Sequence, residues 1–70
     1  MTGQLTVVVN GEQRRFSAPA TLQTLLTELT LDPRTVVVEH ERRIVRRVDL
    51  AGTAVAEGDH VEIVHFVGGG

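Results

Sequence analysis

The chain closes on Phe66-Val67-Gly68-Gly69-Gly70, three glycines set directly behind an apolar pair with no polar spacer. A run without Cβ atoms can thread a slot too narrow for any side chain. Extended from Val67, it carries the Gly70 carboxylate roughly 10–13 Å beyond a folded body. The chemistry this permits is chemistry on the main-chain end itself: another protein closes over a thin arm and activates its terminal carboxylate. Gly69 and Gly70 are then the reactive pair, and Gly68 adds slack to the tail.

Other chemistry-bearing residues are sparse. His40, His60 and His65 are widely spaced and the chain has no cysteine, so no metal site and no disulfide framework is expected. Glu57 and Asp59 flank Gly58, a pattern that reads as a turn before it reads as an acid–base pair, and no third group completes a triad. Arg14-Arg15, Arg42-Arg43 and Arg46-Arg47 form basic pairs. Such charges serve a solvated edge or steer association with an acidic partner. Seven arginines against nine acidic residues leave a net charge of −2, and there are two aromatic residues, Phe16 and Phe66. A nucleic-acid surface would need a basic excess or a stacking platform, so neither it nor an RNA-binding module is favoured.

Seventy residues make a single domain with a small core and no room for a deep catalytic cleft. No window is long and apolar enough for a membrane span, and the opening residues lack a signal-peptide pattern. A cytoplasmic protein is expected, with no membrane contact.

The elements that must hold the arm follow from periodicity. Leu5, Val7 and Val9 alternate with Thr6 and Val8 in a first strand. Asn10-Gly11 is a hairpin turn, and Gln13 to Ser17 is the second strand. Thr21 caps a helix whose stripe is Leu22, Leu25, Leu26 and Leu29, expected to run to about Thr30. Thr35 to Glu39 reads as a buried strand, His40 to Arg43 as a turn or link, Ile44-Val45 as a short edge strand and Leu50 to Val55 as irregular. His60 to Val67 is the last and central strand, with Val61 and Ile63 toward the helix and Glu62, Val64 and Phe66 away. One helix crossing between the second and third strands gives an α+β fold, a ubiquitin-like β-grasp with a mixed sheet packed on one helix. Residues 1–67 form the domain and 68–70 a flexible tail. Val8, Val64 and Phe66 fall on the open face, and with Val67, Arg46 and Arg47 they make the expected partner-binding surface.

The Asn-Gly hairpin, the helix opening TLQTLL and the close EGDHVEIVHFVGGG resemble the thiamine-biosynthesis sulfur carrier proteins across nearly the whole chain. The resemblance implies a co-substrate and not an enzyme. An E1-like adenylyltransferase uses ATP and Mg to adenylate the Gly70 carboxylate; the carrier itself binds no cofactor. A sulfur donor, supplied through a cysteine desulfurase, displaces AMP and leaves a thiocarboxylate, and thiazole synthase then takes the sulfur. Three departures stand out. Val45-Arg46-Arg47 replaces a Val-Pro-Arg element, His40 to Arg43 replaces an Asn-Gly turn, and Gly68 extends the usual Gly-Gly. Related readings are the small subunit of molybdopterin synthase, carriers for tRNA thiolation or cysteine synthesis, and a non-catalytic interaction module.

Overall fold

A computed structural model describes residues 3–66. Five strands form one sheet in the order β2-β1-β7-β4-β5, built from β1 (Gly3–Val9), β2 (Glu12–Ala18), β4 (Val36–His40), β5 (Arg43–Val45) and β7 (His60–His65). Two short strands, β3 (Ala20–Thr21) and β6 (Ala54–Val55), pair antiparallel beside the helix α1 (Leu22–Glu28). β7 is central. It runs parallel to β1 on one side and antiparallel to β4 on the other. Strand order and the single covered face are those of a ubiquitin-like β-grasp.

The core lies between α1 and one face of the sheet. Leu22, Leu25 and Leu26 from the helix meet Leu5, Val7 and Val9 of β1, Phe16 of β2, Val36 and Val38 of β4, and Val61 and Ile63 of β7. Alternation places every second residue of each strand on this side. Burying each of these side chains is worth about 1.5–3 kcal/mol, which is what fixes a helix of only seven residues that would not hold in isolation.

The helix begins as its sequence predicts and ends sooner. Thr21 and Thr24 form a reciprocal cap: Thr24 N–H donates to Thr21 Oγ1 (3.2 Å), and Thr21 N–H donates to Thr24 Oγ1 (2.9 Å). At the far end Thr30 takes a left-handed conformation (φ 61°). Its N–H donates to Thr27 O and Leu31 N–H donates to Leu26 O (2.9 Å), a Schellman termination carried by threonine in place of glycine. The helix therefore stops at Glu28, before Pro33 exerts any effect.

Three other expectations are corrected. The 35–39 run is buried on one side only: Val36 and Val38 are buried while Val37 is exposed, since no element covers the second face of the sheet among the described residues. The 50–55 stretch contributes Leu50 to the core and β6 to the small sheet. Val8 is half-buried, and it does not join Val64 and Phe66. Parallel pairing sets Val8 opposite His60, so Val64 lies four residues, about 13 Å, further along β7.

Candidate functional site at the exit of β7

β7 enters the sheet through the turn at 57–59, which is bonded into the fold at every position. Thr6 N–H donates to Glu57 Oε1 (2.8 Å), Gly58 N–H to Thr6 O (2.7 Å) and Val8 N–H to Asp59 O (2.9 Å). Gly58 sits at φ 82°, where a side chain would be strained. Asp59 Oδ2 accepts the Ala56 N–H (2.8 Å) and contacts His40 Nε2 (2.7 Å), tying the end of β4 to the turn. Burial pushes the Asp59 carboxyl up, but the bonds from Ala56 and His40 and the nearby imidazoles outweigh it and hold the group below the ordinary carboxylate range. Glu57 and Asp59 are thus structural acceptors within this turn.

Side chains from both hairpin turns bond to β7, one at its middle and one at its start. Asn10 Oδ1 accepts the Ile63 N–H (2.7 Å) and its amide donates to Ile63 O (3.1 Å), so the side chain continues the β1 pairing after the backbone has turned away. Across the strand, Glu41 N–H donates to His60 O (2.9 Å) and its carboxylate accepts the His60 N–H. Glu41 (φ 51°) and Arg42 (φ 69°) form the turn between β4 and β5 in left-handed backbone, as Asn10 (φ 50°) and Gly11 (φ 83°) do between β1 and β2.

The exit end differs. Phe66 follows the last residue of β7, is 47% exposed, and is held by one backbone bond, its N–H to Thr35 O (3.2 Å). It lines a shallow depression with Pro33, Arg34, Arg46, Arg47 and Val48. Val64, 58% exposed, lies beside Val37 in the β4–β7 register, and Ile44 on β5 is also exposed. Four of the predicted partner-binding residues, Val64, Phe66, Arg46 and Arg47, therefore belong to this end of the sheet. Val8 stands apart, Ile44 lies in the Glu39–Glu62 row away from the exit, and Val37 and Val48 join the surface. Val67, Gly68, Gly69 and Gly70 lie outside the described residues.

Charge on this surface is sorted. Arg34 is held by Asp32 through two bonds, Nε to Oδ1 (3.1 Å) and Nη2 to Oδ2 (2.9 Å). The same arginine lowers the Asp32 pKa to about 2, through its side-chain bond first and its backbone N–H second. Arg46 and Arg47 make no ion pair among the described residues. At the other end of the open face Glu39 sits opposite Glu62. Among the described residues the exit end thus carries two arginines without an ion pair, while at the far end Glu39 and Glu62 lie beside Arg42 and His60.

Residues 7–70 match the model of the ThiS family. The chain belongs to the ThiS family. It is 50% identical over 64 residues to a thiazole synthase of Paramagnetospirillum magneticum, covering 91% of this chain and 20% of that protein. It is 38% identical over 63 residues to the sulfur carrier protein ThiS of Bacillus subtilis, covering 89% and 96% of the two chains. The chain thus spans about a fifth of one curated relative and nearly all of the other. The crystal structure of the thiamine biosynthesis protein ThiS from Geobacter metallireducens superposes with a TM-score of 0.80 at 29% identity, covering 94% of this chain and 100% of that one. Ubiquitin of Caldiarchaeum subterraneum matches all of both chains at a TM-score of 0.54 and 21% identity, a likeness of fold.

Proposed function

We propose that this ThiS-family domain is a sulfur carrier for thiamine biosynthesis, a protein-borne co-substrate whose reactive group is the Gly70 carboxylate. The observation that carries the reading is the family match itself, which extends through the terminal glycines. An exposed Phe66, with Arg46 and Arg47 near it and free of ion pairs among the described residues, supports it.

A carboxylate resists nucleophilic attack, because attack drives further negative charge onto an anionic group. An adenylyltransferase partner relieves this. The Gly70 carboxylate oxygen attacks the α-phosphorus of Mg-ATP, pyrophosphate leaves, and an acyl-adenylate forms. A persulfide-type donor, charged through a cysteine desulfurase, then attacks the acyl carbon and expels AMP. The product is an acyl disulfide, and a thiol reductant cleaves its S–S bond, leaving the thiocarboxylate on Gly70 and the donor as its thiol. The partners supply metal, base and oxyanion stabilisation; the carrier supplies a slender arm and a docking face. Thiazole synthase is the proposed acceptor of the sulfur, in keeping with a relative of that name that contains a carrier-like stretch.

Intact-mass spectrometry tests the reading. With ATP, the adenylyltransferase and a sulfur source, the chain gains an adenylate and then exchanges one oxygen for sulfur at Gly70. Removing Gly69 and Gly70 abolishes both products while thermal unfolding stays unchanged. Sulfur uptake by the shortened chain would place the reaction elsewhere.

A further inference from the structure

β7 outruns its neighbour. Its last paired residue against β1 is Val61, and the Asn10 side chain then satisfies both backbone groups of Ile63. Alternate residues of a strand turn their N–H and C=O to the same side. The next residue facing that way is therefore His65, and no strand stands opposite it among the described residues. On the β4 side, pairing continues through Phe66. The exit of β7 is thus an edge on one side only.

A depression of about 250 Å³ runs beside this edge, on the helix side of the sheet and beyond the end of α1. Its apolar lining is Val9, Leu29, Leu31 and Ile63; Asn10, Arg14 and His65 supply the polar lining. Leu31 is put there by the Schellman termination, which turns the chain back over the core. Arg14 makes no ion pair among the described residues.

We infer that this groove accepts an extended strand from the enzyme that receives the tail. A strand is the occupant that matches all the features together. Its backbone pairs with His65 N–H and C=O, one aliphatic side chain covers Leu29 and Leu31, and an acidic side chain meets Arg14. The groove borders His65, one residue before Phe66, so the added strand flanks the end of β7 on the side away from β4. The inference rests on the proposed function for the identity of the partner, thiazole synthase.

The test uses the full ¹⁵N-labelled chain with the thiazole synthase of the same organism. Amide exchange at His65 slows at least about tenfold in the complex. His65→Pro removes the backbone donor of His65 and leaves pairing with β4 intact. It weakens binding about tenfold relative to His65→Ala, the effect of one interfacial hydrogen bond. Arg14→Glu, on an exposed site that leaves folding intact, weakens binding by a similar factor. A complex that leaves His65 exchange unchanged, or that binds both His65 variants and Arg14→Glu as well as the wild type, overturns the groove and leaves the tail chemistry standing. Slowed His65 exchange that depends on chain concentration without the synthase assigns the edge to a second copy and overturns the inference. So does protection in the free chain that is lost when Gly69 and Gly70 are removed. If no complex forms, the partner and the groove both fall, while the mass measurement still reports on Gly70.

Discussion

The two ends of β7 are built to opposite standards. At the entry, Glu57, Gly58 and Asp59 each bond to another segment and Glu41 clasps His60; further along, Asn10 clasps Ile63 from the opposite side. At the exit one backbone bond holds Phe66, and the nearby side chains, Val64 and Phe66 among them, stay exposed. Stability is concentrated where the strand begins, and surface available for binding where it ends. A six-residue strand can serve both needs because its entry anchors the register on which the exit depends.

The contrast gives ordered predictions. Asp59→Ala strips the acceptor from Ala56 N–H and His40 together and lowers stability by about 2–3 kcal/mol in urea unfolding. Asn10→Ala leaves the half-buried Ile63 N–H without its partner and costs about 1–2 kcal/mol. Amide exchange in this variant rises at Ile63 more than at Val7. Gly58→Ala, forced into left-handed backbone, costs about 1 kcal/mol. At the exit, Phe66→Ala changes unfolding by less than about 1 kcal/mol and weakens partner binding at least about tenfold. A stability loss as large as that of Asp59→Ala, with binding intact, would erase the division between the two ends. Smallest of all in equilibrium terms, Arg46→Glu with Arg47→Glu slows association at low salt with little change in dissociation; equal rates with the wild type would make these arginines solvated bystanders.

Acid sharpens the comparison further. The Asp59 carboxyl has a lowered pKa in the folded state. A depressed carboxylate contributes stability that is complete above its unfolded pKa, about 4, and is lost as pH falls through the folded value. The stability gap between the wild type and Asp59→Asn therefore narrows from pH 5 toward pH 2. A gap that is constant over that range would show that the charge of Asp59 contributes nothing.

Much of this was legible in residue order. The alternation of Leu5, Val7 and Val9, the leucine stripe and the two glycine turns fixed the elements. The same alternation put Val64 and Phe66 outside and Val61 and Ile63 inside, as found. What periodicity could not supply was registry between distant strands. Val8 and Val64 share a face by parity, yet the offset between β1 and β7 separates them. The apolar run at 36–38 carries no mark that one side of the sheet is left uncovered. The turn at Glu41-Arg42 lacks the usual asparagine and glycine, because bonds from Glu41 to His60 stabilise a backbone its composition does not favour. Thr30 ending the helix is a similar case. There the bonds are local, from Thr30 and Leu31 to Thr27 and Leu26, and the packing of Leu31 on the core goes with them.

β7 is also the segment that joins the two halves of the sheet. Before it is made, the β1–β2 hairpin and the β4–β5 pair have no common neighbour. The sheet is complete only once β7 is in place, although it is the last of the described strands to be made. A polypeptide interrupted before β7 keeps two separate strand pairs with no strand to bridge them, and so loses the mixed sheet as a whole.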